Sequence, residues 1–237
     1  MDHLDLNKIL NRKKEERQLI DYLNYFEKNK HDLSTKRGMY IYGNSGVGKS
    51  RFVYDILKRL NYDIIGFDAG DVRNKSAIDK ITKHNMSDKN IMNLFYKKKQ
   101  KIAIVMDEID GMNSGDKGGI NSLIKLMRPK KTRRQKQEDI TLNPIICIGN
   151  YHIDKKIKEI KKTMDNIEIK TPTECQIKEI LSETLINNKK GEMLKYIGGD
   201  LRKLDFIINL HNLNCNLLVD KDINKLFVGV NYNDDTK

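Results

Sequence analysis

Residues 43–50 read Gly43-Asn44-Ser45-Gly46-Val47-Gly48-Lys49-Ser50, and the apolar run Met39-Tyr40-Ile41-Tyr42 leads directly into them. A helix-like stretch from Arg51 to Leu60 follows. A G-x-x-x-x-G-K-[ST] loop in this setting constrains the fold strongly, because it needs a buried strand whose carboxyl end opens into a helix. The glycines let backbone N–H groups close around a polyphosphate, and the helix amino end adds positive potential. In such a loop residues 43–48 and Arg51 line the phosphates, Lys49 reaches the β- and γ-phosphates, and Ser50 binds Mg²⁺.

The rest of the chain supplies a matching frame. Short apolar or β-branched runs at 38–42, 62–67, 101–106, 144–149 and 166–169 alternate with helical patterns near 14–28, 49–60, 75–83, 87–98, 117–127 and 153–161. Alternation at this spacing predicts an α/β domain with a parallel sheet covered on both faces. After Thr171-Pro172 only helical periodicity remains. Ile177, Ile180, Leu181 and Leu185 share one face, as do Leu201, Leu204, Ile207 and Ile208, with Met193, Leu194 and Ile197 between them. The expected organisation is a nucleotide-binding domain over 1–170, a helical lid over 171–226 and a polar tail over 227–237.

Composition narrows the function classes. No apolar run approaches the roughly 20 residues of a membrane span, and the polar N-terminus does not read as a leader. Cys147, Cys175 and Cys215 are odd in number and far apart, which argues against a disulfide framework or zinc site and for a reducing compartment. Lys plus Arg total 45 against 33 Asp plus Glu, a formal net charge of +12. That excess favours a polyanion such as nucleic acid, although a Lys-, Asn- and Ile-rich composition also follows from an AT-rich genome.

Three further elements carry chemistry. Lys101 to Asp110 reads K-I-A-I-V-M-D-E-I-D, an apolar strand ending in adjacent acids. Asp107 is placed to hold Mg²⁺, and Glu108 to act as base or water-positioner for attack on the γ-phosphate. The apolar run 144–149 ends in Asn150, whose amide can orient the same water. Gly198-Gly199-Asp200-Leu201-Arg202 opens a helix, and Arg202 is the candidate that reaches the γ-phosphate from the lid.

These four elements, in this order and spacing, resemble the Walker A, Walker B, sensor 1 and sensor 2 motifs of an AAA+ ATPase across about 40–210. The resemblance implies a five-stranded parallel sheet of order 5-1-4-3-2, a helical lid, and ATP with Mg²⁺ as ligands. Asp68 to Lys75, Met106 to Met112 (M-D-E-I-D-G-M) and Asp116 to Ile120 (D-K-G-G-I) further resemble segments of the large subunit of replication factor C clamp loaders. That branch loads a PCNA-type sliding clamp onto primer-template DNA as a hetero-oligomer, in the nucleus or a viral replication compartment. Small subunits of that family carry Ser-Arg-Cys after sensor 1, whose Arg enters a neighbour's site. Here Lys155 to Lys162 holds no Arg, as in the large subunit, and an isolated chain is expected to be a slow ATPase.

The resemblance also implies contacts beyond the nucleotide. Met92, Phe95 and Tyr96 have the i, i+3, i+4 spacing of a clamp-interaction box, and equally of residues packed on the sheet. Arg73, Lys75 and Lys117 match places where such subunits touch DNA phosphates. A basic run from Arg128 to Lys136, including Lys130, Lys131, Arg133 and Arg134, reads as a mobile phosphate-binding loop or a solvated charge run. It has no aromatic residue for base stacking. Ile9 and Leu10 are candidates for adenine contact. The collar that clamp-loader subunits carry after the lid has no counterpart here, which reads as a fragment or a minimal paralogue, for instance from a large DNA virus. Two alternatives stay open at this level: an origin-initiator or helicase-loader ATPase, for which no winged helix fits after residue 220, and a non-hydrolysing nucleotide-dependent module, which has no need of Glu108.

Overall fold

The computed structural model describes residues 6–68, 101–113, 118–138, 140–151, 155–184 and 190–213. Strands β1 (Gly38–Gly43), β2 (Tyr62–Phe67), β3 (Lys101–Met106), β4 (Ile145–Gly149) and β5 (Asp165–Ile169) form one sheet of order β2-β3-β4-β1-β5. Every pairing is parallel. Read from the other edge this is the expected 5-1-4-3-2.

β1 and β4 are buried almost end to end, as strands covered on both faces must be. Successive side chains point to opposite faces, and the core divides accordingly. Met39, Ile41, Ile146 and Ile148 pack with α2 (Lys13–Asn29) and α3 (Lys49–Arg59), through Leu19, Leu23, Phe52 and Ile56. Tyr40, Ile104, Ile145 and Cys147 pack with α4 (Gly119–Met127) and α5 (Lys155–Thr163), through Leu123, Met127, Ile157 and Ile160. Cys147 is fully buried, and burial pushes its thiol pKa up, so it is core material. The edge strand β5 alternates exposed Asp165, Asn166 and Glu168 with buried Ile167 and Ile169, a charged edge that discourages pairing with another chain.

The amino ends of the strands are tied by one buried cation. Arg37 is 0% exposed and donates to the carbonyls of Lys30 at 2.7 Å, Asp32 at 2.7 Å and Thr141 at 2.9 Å. Its own N–H bonds the Met127 carbonyl, and its carbonyl accepts from the Ile145 N–H.

Two compact units result. One is Arg12–Lys170; the other takes Thr171 onward together with the residues up to Asn11. In the second, α6 (Glu174–Thr184), α7 (Lys190–Ile197) and α8 (Leu201–Leu213) bury Ile177, Ile180, Leu194, Ile197, Leu204 and Ile207 around a separate core. The N-terminal α1 (Leu6–Ile9) belongs to this unit and not to the sheet domain. Leu10 is buried in its core, and Gln176 Nε2 donates to the Ile9 carbonyl at 3.5 Å. Leu185 lies outside the described residues, as does everything after 213. Among the described residues no helix is long and apolar enough to cross a membrane.

Candidate nucleotide-binding site

β3, β4 and β1 are adjacent and parallel, so their carboxyl ends leave the sheet together. Tyr42 pairs in register with Gly149, and Met106 with Cys147. The loop at 43–50, the acids at 107–108 and the amide at 150 therefore open from one edge. Brought together here are residues distant in sequence but adjacent in strand order, the usual ligand position of an open α/β sheet.

The loop is held by backbone geometry and by its neighbours. Gly46 and Gly48 have φ of 76° and 82°, a left-handed conformation that costs glycine no Cβ clash. At Gly43 a Cβ would lie 2.3 Å from the Ile169 carbonyl oxygen, so β5 approaches too closely for any side chain. Val47 is fully buried under the loop. Its carbonyl accepts a 2.6 Å bond from Arg12 Nη2. Burial lowers the Arg12 pKa to about 10, against the opposing charge of Glu15.

The reactive side chains form two linked pairs. Lys49 Nζ donates to the Gly43 carbonyl at 3.1 Å, the Asn44 carbonyl at 2.8 Å and Asn150 Oδ1 at 2.9 Å. An ammonium gathered by three oxygens is already in an environment that phosphate oxygens can substitute. Ser50 Oγ donates to Asp107 Oδ2 at 2.5 Å, and Asp107 Oδ1 accepts from the Glu108 N–H at 2.8 Å. A hydroxyl beside a carboxylate is the hard-oxygen donor set that Mg²⁺ uses when phosphates and water complete its shell. These residues therefore fit the cation. Glu108 is exposed and has φ of 48°, strained for a non-glycine residue, a feature found disproportionately at functional positions.

Two residues at this end of the strands were given no role by the motifs, although Asp110 lies within M-D-E-I-D-G-M. Asp110 Oδ2 accepts from Asn150 Nδ2 at 2.9 Å, and its Oδ1 accepts from the Asn150 N–H at 3.4 Å. Tyr40 donates its hydroxyl to the Asn150 carbonyl at 3.4 Å. Asp110 thus orients the amide so that Oδ1 faces Lys49. Arg12 is the other, buttressing the loop from 35 residues upstream. Its only sequence signal is a basic residue before a helix, which is common.

Arg202 lies in the helical unit at the start of α8. Its side chain is 70% exposed and pairs with Asp200 at 3.3 Å. Gly198 and Gly199 have φ of 53° and 89° and make the turn that precedes Asp200. Burial disfavours the Asp200 charge, but bonds from the Arg202 side chain and from the N–H groups of Arg202 and Lys203 hold its pKa below the usual value.

The basic run is corrected in one respect. Lys130 is 3% exposed; it donates to the Lys125 carbonyl at 2.6 Å and to Glu138 at 2.9 Å. Its bonds point inward, so Lys130 is a structural strut and not a DNA contact. Lys131, Arg133 and Arg134 are exposed. In α5, where the resemblance places a finger in other subunits, Lys161 is turned back over the Tyr42 ring at 3.6 Å. The DNA candidates Arg73, Lys75 and Lys117 and the clamp candidates Met92, Phe95 and Tyr96 lie outside the described residues.

Comparison with known proteins identifies the family. The model of the ATPase family associated with various cellular activities (AAA) matches residues 39–172, more than half of the chain. Replication factor C subunit 1 of Saccharomyces cerevisiae is 24% identical over 204 residues, covering 80% of this chain and 22% of that protein. The replication factor C large subunit of Nanoarchaeum equitans is 27% identical over 206 residues, covering 83% of this chain and 43% of that protein. Replication factor C subunit 1 of Oryza sativa is 30% identical over 196 residues, covering 74% and 18%. The chain thus spans between 18% and 43% of the length of these relatives. Among solved structures, AMPPCP-bound DnaA from Aquifex aeolicus aligns with a TM-score of 0.49 at 17% identity, covering 89% of this chain and 65% of that one. The chain belongs to the AAA family of ATPases, and within it is similar to replication factor C large subunits.

Proposed function

We propose that this chain is a clamp-loader-type ATPase subunit, which hydrolyses ATP with Mg²⁺ to place a PCNA-type sliding clamp on primer-template DNA within a hetero-oligomer. The observation that supports it most is the pair of links Lys49–Asn150 and Ser50–Asp107 at one sheet edge. The similarity to replication factor C large subunits supports the loader branch.

In this reading the glycine-rich loop binds the triphosphate through its N–H groups, and Lys49 exchanges carbonyl partners for phosphate oxygens. Ser50 and Asp107 would hold Mg²⁺, which supplies neutralisation of charge on the phosphates. Glu108 takes the proton of the attacking water, and Asn150 fixes where that water sits. Arg202 is the nucleotide sensor of the helical unit. The arginine that completes this site comes from a neighbouring subunit, a contribution of about 10³–10⁵ in rate, whereas the segment 155–162, which holds no Arg, has no such finger to give in turn.

The test is ATP turnover by the purified chain, alone and with primed DNA, clamp and partner subunits. Slow turnover alone, stimulation in the assembly, and trapped ATP in Glu108→Gln are expected. Equal turnover alone and assembled overturns the loader reading, and unimpaired hydrolysis by Glu108→Gln overturns the role of Glu108.

A further inference from the structure

The segment joining α4 to β4 connects a helix carboxyl end to a strand amino end. It lies at the amino ends of the strands, opposite the loop at 43–50 and beside Arg37: the Lys130 N–H bonds the Leu33 carbonyl at 2.8 Å, and the Thr141 carbonyl accepts from Arg37 at 2.9 Å. The segment is a built turn. Glu138 accepts from Arg128 at 2.5 Å and from Lys130 at 2.9 Å, pinning its two ends together. Gln135 Oε1 accepts the N–H groups of Lys131 and Thr132 at 3.0 and 3.1 Å, and Thr132 Oγ1 accepts the Gln135 N–H at 3.3 Å. A single 3₁₀ turn, Gln135–Gln137, completes it.

This architecture sorts the cations. Arg128 and Lys130 are spent inside on Glu138. Lys131, Arg133, Arg134 and Lys136 are exposed and form no ion pair with any described residue. Four like charges thus fall within six residues of one turn. Hydrogen bonds within the turn hold the backbone that carries them. Exposed cations clustered on a built turn suit a polyanion, and with no aromatic side chain in 128–138 the cluster suits a phosphate backbone and not unstacked bases. The net charge of +12 has the same complementarity.

We propose that the turn 131–136 is a docking surface for the phosphate backbone of duplex DNA that works independently of bound nucleotide. The surface goes beyond the ATPase reading, since it stands at the opposite end of the strands and uses none of the residues at 43–50, 107–110 or 150. The affinity it supplies is therefore the same with ATP, with ADP and with neither.

The test is fluorescence anisotropy of a labelled 20-base-pair duplex with the full chain between 50 and 200 mM salt, with the three nucleotide states in parallel. The comparison is wild type against the fourfold variant Lys131→Ala, Arg133→Ala, Arg134→Ala, Lys136→Ala. Each phosphate contact contributes about 0.9 to the slope of log K against log[salt], so losing four flattens it by up to ~3.6. Over a fourfold salt step the wild type then loses up to about 150-fold more affinity than the variant. A second variant, with Lys155, Lys156, Lys158 and Lys162 of α5 changed to Ala, removes equal charge elsewhere and should flatten the slope less than half as much. Equal slopes for wild type and the turn variant overturn the proposal. So do equal effects of the two variants, a turn contribution that differs between ATP and ADP, or turn-dependent binding to vesicles containing 30% phosphatidylserine in place of duplex. ATP turnover is read on the same samples; its absence would sink the ATPase reading and leave this one standing.

Discussion

Asp110 offers the sharpest perturbation of the candidate site, because it touches nothing that the nucleotide itself would touch. In Asp110→Ala the Asn150 Nδ2–H loses its 2.9 Å acceptor and the Asn150 N–H its 3.4 Å one. A hydrogen bond to a charged acceptor contributes about 1.5–3 kcal/mol, and the 3.4 Å contact adds little. Its loss frees the amide to rotate away from Lys49. If that orientation is needed only when water attacks, the deficit appears in the barrier, and kcat falls about 10- to 100-fold at 1.36 kcal/mol per decade. The nucleotide affinity is spared, since Lys49 keeps the Gly43 and Asn44 carbonyls and the loop N–H groups are untouched. Asp110→Asn, which keeps one carbonyl acceptor, recovers part of the rate. The assay is steady-state turnover in the reconstituted assembly together with ATP affinity of the isolated chain. An unchanged kcat, or a loss carried wholly by weaker ATP binding, refutes the positioning role.

Other outcomes follow from packing and charge. Gly43→Ala sets a Cβ 2.3 Å from a backbone oxygen of β5; overpacking of this kind costs about 1–3 kcal/mol, read as a lower thermal midpoint with weakened nucleotide binding. Arg37→Leu leaves three carbonyls without their donor, at about 1–3 kcal/mol for each one that stays buried, and urea unfolding should show the loss with little change in m-value. For Glu138, bonds from Lys130 and Arg128 outweigh burial and hold its pKa below the ordinary 4.5. The stabilisation is therefore complete above pH 4.5 and lost as pH falls below it, and the midpoints of wild type and Glu138→Gln should converge on acidification. A constant gap across that range contradicts the assignment. Arg202→Ala should lower turnover while the thermal midpoint barely moves, as its side chain is 70% exposed.

The middle of the sheet was legible in sequence because β1, β3 and β4 are short apolar runs whose burial on both faces leaves no other use for them. The edge strands β2 and β5 showed only as β-branched stretches at the expected spacing. The loop, Asp107, Glu108 and Asn150 were legible because phosphate chemistry fixes residue type and order along the chain. Asp110 was visible as an acid, but its partner is 40 residues away, joined only once β3 and β4 pair. Lys130 failed for a related reason. A lysine in a basic run reads as solvated, and only the fold brings Glu138 back to it. Leu10 sits in too short an apolar stretch to reveal which core it enters, and the helical unit claims it.

The claim beneath the rest is that Lys49, Ser50, Asp107 and Asn150 form one triphosphate site. Isothermal titration of ATP with Mg²⁺ into the full chain tests it most directly. One nucleotide per chain, with the heat abolished by Lys49→Ala and retained by the fourfold turn variant, is the predicted result. No measurable uptake by the wild type, or uptake by Lys49→Ala equal to it, would contradict the account.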